Sequence, residues 1–268
     1  MKSGFPDEEC NDRCRRFREN KITLVIKSRI IMKITKFSPH CITMLILMAL
    51  TGFAIADSPH NTLTVEEKNA GWQLLFDGHK IEGWRSYGSN ALPKQGWIVE
   101  NGLLHKQAGK RPGDIMTVKT FENFEFAWEW KLPPKGNNGV KYFIIQERKA
   151  TVGHEFQMID DSIVKEADSS CGSFYLVVKP RSDKPVKPMG DWNHSRILVK
   201  GNHVEHWLNG MKVLEYECGS PEIMNQVTKT KFKKWPNFGE KVRGHILLTD
   251  HHDPCWFRNL KIRELQVD

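Results

Sequence analysis

Phe124-Glu125-Phe126-Ala127-Trp128-Glu129-Trp130-Lys131 is the stretch that decides the fold. Four aromatic side chains alternate with Glu125, Ala127, Glu129 and Lys131, so a backbone with a side-chain period of two places the aromatics on one face and the polar groups on the other. Such a segment is a strand with one face in a hydrophobic core. The same period recurs on both sides of it, broken by turn residues at roughly eight- to twelve-residue intervals, as in a β-sandwich or barrel. Upstream, Trp72 to Phe76 stops at Asp77-Gly78, and Trp97 to Glu100 stops at Asn101-Gly102 before Leu103-Leu104-His105. Downstream, strands are expected over Val140 to Ile145, Glu155 to Ile159, Phe174 to Val178, Ile197 to Lys200 and His203 to Leu208. The last of these turns at Asn209-Gly210 into Lys212 to Tyr216, a hairpin signal. Cys218 to Arg243 shows little periodicity beyond a short helix expected near Pro221 to Gln226. These elements predict an all-β protein of two antiparallel sheets packed face to face.

The N-terminal segment reads as an export leader that starts at the internal Met32. Lys33 and Lys36 supply its basic region, CITMLILMAL from Cys41 to Leu50 its apolar region, and Ala54-Ile55-Ala56 the small residues before cleavage. The apolar run to Ala56 is shorter than the roughly 20 residues that cross a bilayer. The expected organisation is therefore an upstream extension over 1–31, a signal peptide over 32–56, a linker over 57–69 and one domain over 70–268. The mature protein is expected in the periplasm or outside the cell, with no membrane association after cleavage. Ten of the 40 Lys and Arg and five of the 32 Asp and Glu lie in residues 1–56, so the net charge of +8 falls to +3 beyond them. That removes most of the argument for a nucleic-acid partner. A remaining basic patch, Lys229, Lys231, Lys233 and Lys234, reads as a solvated loop face. Only Cys171, Cys218 and Cys255 lie beyond residue 56, an odd set that allows at most one disulfide. With no Gly-rich phosphate loop in the chain, nucleotide-binding and kinase chemistry are not expected.

Polar residues inside apolar strands mark a candidate cleft, because burying them is costly unless they are paired or used. Glu155 and Gln157 share one face of their strand, opposite Phe156 and Met158. In the run from Gly244 to Leu265, His245, Leu247, Thr249 and His251 share a face opposite Ile246, Leu248 and Asp250. Asp250 is expected to turn inward and orient a neighbour, which leaves His251 free to act. His206 beside Trp207 is either a site group or a packed histidine, and Glu129 with Lys131 is either a substrate contact or a cross-strand ion pair. No cofactor is expected. A divalent metal is the alternative, since Glu155, Asp160, His206 and His251 are suitable ligand types, although no tight ligand spacing appears.

An ordered set of signposts runs through the chain: Leu75-Phe76-Asp77-Gly78, Gly83-Trp84, Trp97, Glu100-Asn101-Gly102, Gly113-Asp114, Glu129-Trp130-Lys131, Asn138-Gly139, Glu155 with Gln157 and Asp160, Gly190-Asp191-Trp192-Asn193, His206-Trp207-Leu208-Asn209-Gly210, Gly244-His245-Ile246, Asp250-His251 and Phe257-Arg258-Asn259. In this order they resemble the 3-keto-disaccharide hydrolase domain family, formerly domain of unknown function 1080, over about residues 70 to 266. The chain departs from that pattern at Asn137-Asn138-Gly139, where Asn-Ser-Gly is usual, at Thr249, where Gln commonly stands, and at His252, which replaces a small residue.

The resemblance implies a concanavalin-like jelly roll and a carbohydrate substrate, an oxidised 3-keto glycoside. The ketone acidifies the C2 proton, a base removes it, the glycosidic oxygen leaves C1, and water adds back. It implies Glu155, His251 and His206 as catalytic candidates. Glu129, Lys131, Asn138, Gln157, Asp160 and Asp250 are the substrate-binding candidates, with Lys131 and Asn138 polarising the ketone or holding hydroxyls. Three other functions remain in play. One is a carbohydrate-binding module of the same fold, and another is a structural envelope protein. The third is an ordinary glycosidase, which needs two carboxylates about 5 to 9.5 Å apart, for which Glu129 and Glu155 are available.

Overall fold

The computed structural model describes residues 60–267. The signal peptide expected over 32–56 and the extension expected over 1–31 lie outside the described residues. Among the described residues, thirteen strands form two sheets in which every pairing is antiparallel. The larger runs β11 (Met211–Glu217), β10 (His203–Leu208), β9 (Asn193–Lys200), β6 (Phe124–Lys131), β13 (Cys255–Glu264), β4 (Leu103–Lys106) and β3 (Trp97–Glu100), with β1 (Gln73–Leu74) also paired to β13. The smaller runs β2 (Trp84–Ser86), β5 (Ile115–Thr117), β12 (His245–Leu248), β7 (Asn137–Ile144) and β8 (His154–Ile159). The architecture is a concanavalin-like jelly-roll sandwich.

The alternation in β6 sets the core. Phe124, Phe126, Trp128 and Trp130 are fully buried and pack with Ile197, Val204, Leu208 and Phe257 of the same sheet against Val140, Phe156, Met158 and Leu248 of the other. Buried indoles need acceptors: Trp130 Nε1 donates to Ser195 Oγ at 2.8 Å, and Trp128 Nε1 faces Met158 Sδ at 3.3 Å. The β10–β11 hairpin turns through Asn209 (φ 46°) and Gly210 (φ 86°), the left-handed pair that matches the twist of its strands.

Four rings form a polar chain through this core. Tyr142 of β7 and His154 of β8 meet His206 of β10 and Tyr216 of β11 across the sandwich. The backbone N–H of Gly239 donates to His154 Nε2 at 3.1 Å, so the proton of that ring sits on Nδ1 and is donated to Tyr216 Oη at 2.7 Å. Tyr216 then donates to Tyr142 at 2.7 Å, Tyr142 to His206 Nε2 at 2.8 Å, and His206 Nδ1 to the Gly172 carbonyl at 2.9 Å. Every donor has one acceptor along this order. Burial pushes His206 down to about 4 and His154 well below the usual histidine value, so both imidazoles are neutral.

Two expectations change. The stretch Phe174 to Val178 is not a strand. Phe174 makes single bridges to Phe156 and Val178, and Leu176 has φ 63°, so these residues turn tightly while Phe174 and Val177 fill the core. Burial, and not strand periodicity, explains their apolar character. The stretch read as a linker over 57–69 holds a helix, α1 (Val65–Asn69), and is docked from residue 60 onward. Thr64 and Glu67 form a reciprocal capping box, Glu67 pairs with Lys261, and Asn61 and Asn259 exchange side-chain-to-backbone hydrogen bonds at 2.6 and 2.8 Å. The helix expected near Pro221 to Gln226 spans Pro221–Thr228 (α2), capped by Ser220. Cys171, Cys218 and Cys255 are free and buried.

Candidate functional site

The outer face of the smaller sheet carries the polar groups that strand parity predicts. On β8, His154, Phe156 and Met158 point into the core, which leaves Glu155 and Gln157 on the opposite face. Glu155 pairs across the ladder with Lys141 of β7, and Gln157 with Gly139. The Glu155 carboxylate lies over Gly139, where an added Cβ would overlap Oε1. Among the described residues it has no hydrogen-bond or ion-pair partner. Burial raises its affinity for a proton; the Lys141 and Lys231 charges oppose that, the Asp114 charge adds to it, and the balance is a raised pKa. A pocket of about 270 Å³ opens beside it, walled by Lys141, Val152, Tyr175, Lys231 and Trp235.

His251 joins this face through a short relay. Gln157 Nε2 donates to Asn137 Oδ1 at 3.1 Å, and Asn137 Nδ2 faces His251 Nε2 at 3.4 Å. With Nε2 accepting from the amide, the ring proton is on Nδ1 and can be donated. Partial burial lowers the His251 pKa, against the opposing charge of Asp253 and with Lys141 and Lys106 among the groups that lower it further. Lys141 thus couples electrostatically to both Glu155 and His251.

Behind this face Asp250 turns inward, as parity predicts. Its carboxylate pairs with the fully buried Lys106 at 2.9 Å and accepts from Gly113 N–H at 2.9 Å, while Lys106 also donates to the His251 carbonyl. Asp250 N–H in turn donates to Asp114 Oδ1 at 2.7 Å. This clamp fixes the turn that presents His251. Asn138, expected to touch substrate, is instead fully buried: its amide donates to the Thr249 carbonyl at 3.2 Å, and its Oδ1 accepts from Thr249 Oγ1 at 3.0 Å. It joins β7 to β12.

Four other expected site residues do not meet Glu155. His206 is sealed in the core chain between Tyr142 and Gly172. Asp160 caps a single helical turn, accepting from Ser162 N–H at 2.9 Å and Lys135 N–H at 2.7 Å, and these bonds lower its pKa. Glu129 and Lys131 lie on the outer face of the larger sheet, on the far side of the sandwich. Burial works to raise the Glu129 pKa, but bonds from Asn259 (2.8 Å) and Arg258 (2.7 Å) outweigh it and hold the group below the usual range. Lys131 Nζ sits between the Trp192 and Trp256 rings, 5.2 and 5.1 Å from their centroids. The carboxylate pair required of an ordinary glycosidase, Glu129 with Glu155, is therefore split between opposite faces. The metal-ligand set of Glu155, Asp160, His206 and His251 is dispersed as well, since His206 is sealed in the core and the Asp160 carboxylate is taken up by the Lys135 and Ser162 N–H groups. Among the described residues, the three-ligand cluster is His203, Glu205 and Glu215 on the larger sheet, already tied to Lys212 and Glu217.

Sequence reasoning passed over Lys141, Asn137 and Tyr175. Lys141 alternates with Val140 and Tyr142, so parity alone puts it on the Glu155 face, and Asn137 follows by the same count. Tyr175 carried no such signal, because it reaches the pocket from a turn whose N–H donates to the Glu155 carbonyl at 3.1 Å.

An alanine at 139 tests how tightly Glu155 is held. The clash falls on the end of a flexible side chain and the Gly139 backbone has no left-handed φ, so Gly139→Ala should cost under about 1 kcal/mol of stability. Displacing the carboxylate should nevertheless lower turnover about 10²-fold. Urea titration and steady-state kinetics on one preparation check both halves.

The sequence profile of the 3-keto-alpha-glucoside-1,2-lyase-like domain matches residues 71–263. A 3-keto-disaccharide hydrolase of Bacteroides thetaiotaomicron is 30 % identical over 232 residues, 73 % of this chain and 79 % of that protein. Two crystal structures of candidate glycosyl hydrolases from Parabacteroides distasonis share the fold. One is 34 % identical with a TM-score of 0.70, covering 78 % of this chain and 100 % of its own, and the other is 29 % identical with a TM-score of 0.59, covering 72 % and 99 %. The profile spans most of the sandwich, from just before β1 to the end of β13, and the chain belongs to the 3-keto-alpha-glucoside-1,2-lyase-like domain family.

Proposed function

We propose that this chain is a carbohydrate hydrolase that cleaves 3-keto glycosides by elimination followed by hydration. The observation that carries the reading is Glu155, an unpartnered carboxylate of raised pKa held over Gly139 on a sheet face that also presents Lys141 and His251. A base of that kind suits a carbon acid, and a C–H next to a ketone is one. Glu155 takes the C2 proton, and the electron pair of the C–H bond moves toward the ketone, where the Lys141 ammonium opposes the developing enolate charge. The pair then forms the C1=C2 bond as the C1–O bond breaks, while His251 Nδ1–H donates a hydrogen bond to the departing oxygen, which takes its proton from a water molecule. The hydroxide left from that water adds to C1 and the proton held by Glu155 returns to C2, so the net change is hydrolysis. Gln157 and Asn137 bind sugar hydroxyls. The leader over residues 32–56 supports a further proposal, that the enzyme works after export.

Incubating the purified protein with a 3-keto glucoside and with its unoxidised parent tests the reading. Release of the aglycone from the keto compound alone is the expected result. Equal release from both would point to an ordinary glycosidase, and binding of either without release to a lectin-like module. Parallel assays with a chelator read out whether a divalent ion takes part.

A further inference from the structure

The pocket beside Glu155 carries more positive charge than a neutral sugar can use. Lys141, Lys231 and Lys234 line it, and Glu155 is the one carboxylate in its wall. None of the three ammonium groups has an acidic ion-pair partner among the described residues. Lys141 Nζ reaches only the Thr151 carbonyl, at 3.3 Å. The other two rest on aromatic faces: Lys231 Nζ lies 5.0 Å from the Tyr175 ring, and Lys234 Nζ 5.2 Å from the Trp235 ring.

The segment that brings Lys231 and Lys234 here is firmly built. Thr230 caps its helical turn (Lys231–Lys234) by accepting from Phe232 N–H at 3.1 Å, and Phe232 stacks on Phe238 at 4.3 Å. Arg148, buried after β7, donates to the Pro236 and Asn237 carbonyls at 3.0 and 2.8 Å and locks the segment to the strand connection. The basic patch read from the sequence as a solvated loop face is thus in part a wall of the site.

We propose that this wall recognises an anionic group, a carboxylate or a sulfonate-like oxyanion, on the glycoside being cleaved. The proposal rests on the reading of the Glu155 face as the glycoside-cleaving site. Ammonium groups bind such oxyanions as point charges, without the planar fork that would restrict their geometry. Discrimination comes from leaving these charges unanswered when the ligand is neutral.

The experiment compares 3-keto-glucosides of 4-carboxyphenol and 4-sulfophenol with the neutral 4-carbamoylphenyl compound. At low ionic strength kcat/KM should favour the charged compounds about tenfold, and the ratio should shrink in 0.5 M salt, because exposed charges are screened at roughly that concentration. In Lys231→Gln/Lys234→Gln the ratio should fall toward one, whereas Lys200→Gln, on the far sheet, should leave it unchanged. A ratio near one in the unmodified protein, or an unaltered ratio in the double variant, overturns the proposal while turnover of the neutral compound leaves the functional reading standing. If no keto compound turns over, that reading fails, and calorimetry with the unoxidised 4-carboxyphenyl and 4-carbamoylphenyl glucosides decides the proposal: salt-sensitive preference for the acid supports it, and equal affinity overturns it.

Discussion

Glu155→Gln lowers kcat on a 3-keto glucoside by about 10² to 10⁴-fold and leaves KM close to its original value. Glutamine keeps the size and the hydrogen-bonding reach of the side chain but cannot take the C2 proton. The loss is that of a positioned base, roughly 3 to 5 kcal/mol of barrier. Because proton transfer belongs to the transition state, kcat and kcat/KM should fall together. The same substitution should raise stability. Burial lifts the folded pKa of Glu155, so the folded state loses stability as pH rises from the ordinary carboxylate value through the raised one. Glutamine removes that cost, and the gain should therefore be seen at neutral pH and vanish below about pH 4. Thermal melts at pH 7 and pH 4, with kinetics on the same samples, read both effects. A variant that keeps its turnover would remove Glu155 from the mechanism, and one that loses turnover only because it unfolds would leave the assignment without support.

Lys106→Met should cost about 3 to 5 kcal/mol, the usual consequence of removing one partner from a buried pair. The Lys106 side chain is fully buried and that of Asp250 is 9 % exposed, so methionine fills the space while the carboxylate keeps only the Gly113 N–H. Asp250→Asn added to Lys106→Met should recover a substantial part of the loss, because the uncompensated charge, more than the missing attraction, is what destabilises the single variant. Urea denaturation of the wild type, both single variants and the double variant closes the cycle. A Lys106→Met protein within about 1 kcal/mol of the wild type would show that Asp250 finds solvent or another partner once Lys106 is gone. The functional corollary is local: Lys106 also holds the His251 carbonyl, so the Asp250–His251 turn loosens and KM rises.

The legible part of this chain was its local chemistry. The aromatic alternation of β6, the Asn209-Gly210 turn and the inward Asp250 all follow from side-chain period and turn geometry, which short stretches of sequence carry in full. Glu155 with Gln157 was legible for the same reason. Glu129 with Lys131 shows an identical pattern, polar residues alternating with buried ones, yet lies on the other side of the molecule. Only the strand orders, β9-β6-β13 in one sheet and β12-β7-β8 in the other, separate the two, and strand order is a long-range property. His206 could have been placed, because it stands two residues from both Val204 and Leu208 and must share their inward face. Asp160 was read as a site group because nothing in its neighbours along the chain reveals that backbone N–H groups already occupy it, whereas Asn138 shares the parity of Val140 and Tyr142 and could have been placed inward, with only its partner Thr249 hidden. Phe174 to Val178 misled because an apolar turn pressed into a core has the composition of a strand.

The hydrogen-bonded chain from Gly239 to Gly172 keys one sheet to the other. Its donors and acceptors run in a single sense, so slipping β8 by one residue against its ladder partner β7 would turn His154 outward, leaving the buried Gly239 N–H without its acceptor and Tyr216 Oη without its donor. His154, one of its rings, is the immediate neighbour of Glu155 and points the opposite way along the same strand. The carboxylate in the cleft is therefore registered against the strands at the back of the molecule, and the alignment of the reactive face depends on proton positions that no substrate ever approaches.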